Sequence, residues 1–242
     1  MIVMPFHQDE RLPEAHLPIE GDVVEPLLEG DIWQRLVTLD EAVAKRVAAQ
    51  VPATVVSGDC LIAMGTLAGL QRAGVDPAVV WFDAHGDVHT LETTTSGYLG
   101  GLSLRLLQGA HPDLLADRLG VRPVAEERCL LVDARDLDPA EASFLKESRV
   151  RRAEVGDVDA ALPDGPLLLH VDLDVIDPAE LPGTLFPAPG GPPASKVLAA
   201  IHRVVATGRV FALDIACPWN PATDQAAQQT RAALLQDLTS LP

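Results

Sequence analysis

The feature that most constrains this chain is a pair of short apolar runs, each breaking off in a cluster of acids. They are Val79-Val80-Trp81-Phe82-Asp83-Ala84-His85-Gly86-Asp87 and Leu168-Leu169-His170-Val171-Asp172-Leu173-Asp174-Val175-Ile176-Asp177-Pro178. Apolar runs without alternation read as parallel strands buried on both faces, and the polar residues that follow mark their carboxyl ends. Such ends are where α/β sheets open into sites. Along an extended chain, residues two apart point the same way. Asp83, His85 and Asp87 are therefore expected to converge, as are Asp172 and Asp174. Four carboxylates aimed at one place repel each other unless cations neutralise them. Oxygen ligands with an imidazole suit a divalent metal of the manganese type better than a thiolate-seeking one. The plainer alternative is two unrelated strand ends whose acids cap the helices that follow. The presence of both clusters favours the metal site.

The rest of the chain supplies the frame for a doubly wound sheet. Ile2–His7, Ala53–Val56, Arg128–Asp133, Val150–Val155 and Val210–Ile215 read as further strands. Helices are expected over Trp33–Val51, Leu61–Ala73, Gly100–Gln108, from about Asp136, over Ser195–Thr207 and over Asp224–Leu238. Strands and helices alternate throughout, which predicts an α/β fold with a three-layer, doubly wound parallel sheet. At 242 residues the chain is the size of one α/β domain, and residues 1–242 are read as one. A net charge of −17 argues against nucleic acid or an anionic membrane as partner. No apolar run reaches transmembrane length, and three scattered cysteines (Cys60, Cys129, Cys217) make no disulfide framework. A soluble cytoplasmic protein is the expectation.

Asp83-Ala84-His85-Gly86-Asp87 and Asp172-Leu173-Asp174-Val175-Ile176-Asp177-Pro178 resemble the two signature motifs of the arginase, agmatinase and formiminoglutamase family, the ureohydrolases. The likeness runs from about Val55 to Pro221, most of the chain. It implies an arginase-like fold and two manganese ions that share bridging aspartates and hold a bridging hydroxide. That hydroxide attacks a guanidinium or amidine carbon, and urea or a urea analogue is released. Carried over by resemblance, Asp83 and Asp172 bridge the metals, while His85 and Asp174 complete one site. Asp87 helps hold the other and is the catalytic acid–base. The sixth ligand position departs from the family: Ser57-Gly58-Asp59-Cys60 stands where Gly-Gly-Asp-His is usual. Cys60 either ligates as a thiolate, which prefers softer metals, or packs without binding anything. In both cases one manganese site is weakened.

The resemblance also maps a small-molecule guanidino-type substrate. Asp138 and Glu141 match acids directed at a substrate α-amino group, although acids in a first helical turn are equally explained by the helix dipole. Ser96 matches a contact to the α-carboxylate, and His89 replaces an asparagine there. Gly100 stands in place of a proton-shuttling histidine. Cys217 stands in place of the glutamate that holds a guanidinium, so ordinary arginine is a poor substrate. Cys60, Tyr98-Leu99-Gly100-Gly101 and His170 together look like the subgroup that hydrolyses N-hydroxyarginine to hydroxyurea and ornithine. His7, His16, His111 and His202 fall outside the motifs and read as surface or packing residues. Homo-oligomers are common in the family. The alternative to a C–N hydrolase is a family member with lost or reduced catalysis that serves as a binding or scaffold protein. A one-zinc deacetylase of related fold is weaker, since its histidine-pair shuttle is missing.

Overall fold

The computed structural model describes residues 1–240; the last two residues of the expected domain lie outside the described residues. Its centre is an eight-stranded sheet built from β1 (Ile2–Met4), β4 (Asp22–Val23), β5 (Ala53–Ser57), β6 (Ala78–Asp83), β7 (Cys129–Asp133), β8 (Arg151–Ala153), β9 (Leu167–Asp172) and β10 (Val210–Ala216). The order is β4-β1-β5-β10-β9-β6-β7-β8, and every pairing is parallel. β2 (Phe6–His7) and β3 (Glu10–Arg11) form a separate antiparallel ribbon.

Period-two alternation sorts each strand's side chains between two layers of helix. Val79 and Trp81 face the layer of α1 (Ile32–Ala49), α2 (Ala63–Arg72), α3 (Ser103–Leu107) and α5 (Pro139–Glu147). Val80 and Phe82 face the layer of α6 (Val158–Ala161), α7 (Ala194–Val205) and α8 (Gln225–Thr239). The remaining short helix is α4 (Ala116–Leu119). Two covered faces explain why β6 and β9 run apolar up to their terminal aspartates, His170 excepted. The arrangement is the three-layer doubly wound sheet that the alternation predicts.

Topology positions the site. The chain pairs β1 with β5, skips two places to β6, and steps outward through β7 and β8. It then returns to fill the gap with β9 and β10. The carboxyl ends of β5, β10, β9 and β6 thus lie side by side at a switch point, where open α/β sheets form crevices.

The boundaries differ from expectation where local chemistry intervenes. The expected first strand divides at Pro5, whose carbonyl accepts from Leu12 N at 2.8 Å and turns the chain into the ribbon. The helices expected at Leu61 and Gly100 open with 3₁₀ turns, Cys60–Ile62 and Gly100–Leu102. β3 and β4 are exposed two-residue strands with no apolar pattern to announce them. No helix among the described residues is long and apolar enough to cross a membrane.

Candidate active site and metal centre

Both acidic motifs converge, but not by strand alternation. β6 ends at Asp83, and β9 at Asp172. Each terminal aspartate then bends the chain by accepting a backbone N–H two residues on: Asp83 Oδ1 from His85 N at 2.7 Å, and Asp172 Oδ1 from Asp174 N at 2.8 Å. These local turns, favoured by a short carboxylate, swing the next ligand back over the strand end. Asp87 completes the approach from a left-handed backbone (φ 52°), an uncommon conformation for a residue with a side chain.

The result is two donor groups with one member in common. Cys60, Asp83 and Asp87 bring one donor atom each within 4.8 Å of one another, and so do Asp83, His85 and Asp174. Asp172 joins them from β9, its Oδ2 accepting from the Cys60 thiol at 2.9 Å. His85 Nδ1 lies 3.1 Å from Asp174 Oδ2 and 3.4 Å from Asp83 Oδ1.

The electrostatics fit a cation. Burial first, and then neighbouring carboxylates, push Asp87 and Asp172 well above the usual carboxylate range. Burial and the Asp83 charge lift Asp174 to about 6. Burial alone would lower His85, yet the hydrogen bonds it donates to Asp174 and Asp83 raise it to about 12. Burial opposes ionisation of Asp83 too, but the adjacent His85 outweighs it and leaves Asp83 lowered. Burial and three surrounding acids raise the Cys60 thiol well above its ordinary value. Asp87 Oδ2 is buried with no hydrogen-bond partner among the described residues. An orphaned acid oxygen in a crowd of carboxylates is what divalent ions would satisfy. The donor set therefore fits the metal that the sequence implies.

Of these groups Cys60, His85, Asp87, Asp172 and Asp174 line a cavity of about 310 Å³, with Asp83 buried behind them; His89, Ser96, Tyr98, Asp138 and Glu141 line it too. A larger groove of about 740 Å³ lies elsewhere, between the N-terminal segment and α8, and includes none of the acids of the two motifs. Size alone does not locate chemistry; the convergent donors do. His89 is held by Asp138 Oδ2 and Thr93 Oγ1, each at 3.1 Å. Glu141 accepts from Asp138 N at 3.1 Å and from Val88 N at 3.3 Å. Asp138 and Glu141 thus form a capping box at the start of α5, and both side chains also line the cavity.

Two expectations need correction. Cys217 is buried but does not line this cavity; Pro218 does, and Cys217 lines a neighbouring one with His16 and Trp219. Its N–H donates to Ser57 O at 2.9 Å, which carries the β5–β10 pairing one residue beyond the strand and turns its side chain away. His7 is not merely surface or packing: its Nε2 lies 3.1 Å from the Tyr98 hydroxyl at the cavity wall. Phe186, which no motif marks, and Asp136 also line the cavity.

A three-layer α/β sheet with paired acid clusters and a histidine at its switch point defines a class of protein with a candidate two-metal hydrolytic centre. Comparison with known proteins makes the class particular. The family model described as the arginase family matches residues 4–240, and the chain belongs to that family. It is 30% identical to the N(omega)-hydroxy-L-arginine amidinohydrolase of Streptomyces lavendulae over 84% of this chain and 73% of that protein. It is 29% identical to the arginase of Eremothecium gossypii over 86% of this chain but only 56% of that longer protein. The crystal structure of Bacillus subtilis arginase superposes with a TM-score of 0.79 at 26% identity, covering 99% of this chain and 97% of that one.

Proposed function

We propose that this protein is a metal-dependent hydrolase of a linear C–N bond in a guanidino, N-hydroxyguanidino or amidino compound. It releases urea or a urea analogue. The observation that carries the reading is Asp83, shared between two donor groups and therefore suited to bridge two ions. His85 and Asp174 would complete one site and Cys60 and Asp87 the other, with Asp172 between them; manganese is the ion the oxygen-rich set suits best. Bound ions of this kind lower the pKa of water and neutralise charge that develops in the transition state. Asp87 Oδ2, buried and unpaired, is the atom suited to take a proton from the attacking water and return it to the leaving nitrogen. His89, Ser96 and Asp138 would hold the amino-acid end of the substrate.

Cys217 itself offers no carboxylate to match a full guanidinium charge, and the Streptomyces relative is named for an N-hydroxyarginine. Both support the less basic N-hydroxyguanidine as substrate. Three free, buried cysteines suit a cytoplasmic location. The reduced-activity alternative draws on one observation, the Cys60 thiol that donates to Asp172 where a sixth ligand is needed.

Metal ions per chain should be counted by mass spectrometry after manganese loading, for the natural protein and for Cys60→His. Two ions in the natural protein, with turnover of a guanidino and N-hydroxyguanidino panel, uphold the hydrolase. One ion or none, rising to two only in Cys60→His, with no turnover before the change, would put the non-catalytic reading ahead.

A further inference from the structure

We propose that Tyr98 is the specificity-determining residue of this site. Its ring takes the volume that any side chain at position 100 would need. Its hydroxyl, fixed by His7, hydrogen-bonds an oxygen carried on the substrate's guanidino nitrogen. The proposal rests on the guanidino-hydrolase reading above and deepens it.

The exchange of volume is steric. A Cβ built on Gly100 would run into Cε1 and Cζ of Tyr98 and lie 2.6 Å from its hydroxyl oxygen. Tyr98 in its present position and a side chain at position 100 therefore exclude each other. A phenol stands at the cavity wall beside Cys60, Asp87 and Asp172, where a residue at 100 would otherwise reach in.

The phenol is held in place by His7 and Phe186, and its backbone by Ser96. The His7 ring stacks on it with centroids 5.6 Å apart and planes 16° apart, and His7 Nε2 lies 3.1 Å from its oxygen. Phe186 tilts against it at 4.6 Å between centroids. Ser96 Oγ accepts from its backbone N–H at 3.2 Å. His7 is itself anchored near the ligands, because the next residue, Gln8, donates its N–H to Asp59, which precedes Cys60. A hydroxyl so fixed loses little freedom when it meets a substrate.

The chemistry then favours an N–O group. A tyrosine hydroxyl has one donor and two acceptor sites, and His7 engages one of them. Whichever tautomer His7 takes, the phenol keeps a donor or an acceptor for the cavity. A hydroxyl on the substrate nitrogen, being both donor and acceptor, matches either state; an N–H matches only an acceptor. A phenol ionises only at about pH 10, so at neutral pH it acts as a neutral hydroxyl. When His7 donates to the phenol oxygen, the phenol O–H is left to donate, and a substrate lacking the N–O oxygen leaves that buried donor unpaired, the strongest kind of discrimination a pocket makes.

Tyr98 is the only tyrosine in the chain, so ring-¹³C tyrosine gives one set of ring signals from this residue alone. In magnesium-loaded protein, Nω-hydroxy-L-arginine is expected to move those signals, and L-arginine to move them less. In manganese-loaded protein, Tyr98→Phe is expected to lower the ratio of kcat/KM for Nω-hydroxy-L-arginine over L-arginine by about ten- to a hundredfold, the effect of one buried hydrogen bond. His7→Leu should lower the same ratio, and Gly100→Ala should displace the Tyr98 signals in ligand-free protein. An unchanged ratio in Tyr98→Phe, or signals indifferent to both compounds, overturns the proposal while leaving the hydrolase reading intact. If the natural protein hydrolyses no guanidino, N-hydroxyguanidino or amidino compound, the hydrolase reading fails, and the signals alone decide. Movement by the N-hydroxy compound over arginine then upholds the role of Tyr98, and its absence overturns it.

Discussion

Replacing His170 with leucine removes half of a buried pair that lies behind the candidate metal ligands. His170 on β9 and Asp214 on β10 are both fully buried, with Nδ1 and Oδ1 2.8 Å apart. Thr66 donates to the other Asp214 oxygen, while His170 Nε2 has no partner among the described residues. Leucine approximates the histidine in size, so the cavity contribution is small and the lost pairing dominates. Removing one member of a buried pair costs about 3–5 kcal/mol when the partner keeps its charge, and about 1–3 kcal/mol for a neutral hydrogen bond left unmade. Loss of the orphaned Nε2 offsets part of this. We therefore expect destabilisation of about 3 kcal/mol, or a urea midpoint lower by about 1 M at the slope a chain of this size should show. His170→Leu combined with Asp214→Leu should cost less than the sum of the singles by about 2 kcal/mol, because neither partner is left stranded. The effect should also reach the site. The Trp81 ring stacks on His170 at 3.6 Å between centroids and donates Nε1–H to Asp83 Oδ2 at 3.0 Å. Loosening that support should weaken manganese binding about tenfold by titration calorimetry, as removal of groups behind metal ligands typically does. Additive costs in the double variant would refute the pairing argument, and unchanged affinity alongside lost stability would refute the link to Asp83.

Three other outcomes are expected. Asp172→Ala should abolish turnover and lower the number of manganese ions retained per chain, read by mass spectrometry; retained activity would exclude Asp172 as a ligand. Gly65→Ala should destabilise by about 1–3 kcal/mol in urea unfolding, since its Cβ would come within 2.6 Å of the Asp40 carbonyl where α2 crosses α1. Metal-free protein should be less stable at pH 8 than at pH 5. Asp87, Asp172 and Asp174 are raised in the fold, so their contribution is complete below the free-aspartate value near 4 and is lost as pH rises, for Asp174 through about 6. His85, raised from 6.5 to about 12, adds in the same direction above neutrality, and Asp83, being lowered, opposes them only in acid. Saturating manganese should reverse the order by binding the deprotonated acids with release of protons; a higher metal-free urea midpoint at pH 8 would refute this.

What the sequence made legible was whatever a short stretch encodes by itself. β6 and β9 announced themselves because both faces are covered, and their acids marked the carboxyl ends. The reason given for convergence needed replacing, since the ligands meet through aspartate turns and a left-handed Asp87, not along an extended strand. What stayed hidden depends on contacts between distant segments. Tyr98 was visible in its motif, but nothing in the chain pairs it with His7, 91 positions away. Trp81 and Leu168 read alike as core, although only Trp81 carries an N–H aimed at a ligand. The side-chain direction of Cys217 follows from strand pairing at Ser57, a relation between segments 160 positions apart. Gly100 shows the difference most clearly. As a letter it reads as the loss of a histidine, but in the fold it is the space that a tyrosine two residues earlier fills. A departure from a family pattern is therefore best judged against the neighbour that occupies the vacated volume, and here that neighbour keeps a polar group at the catalytic end of the cavity.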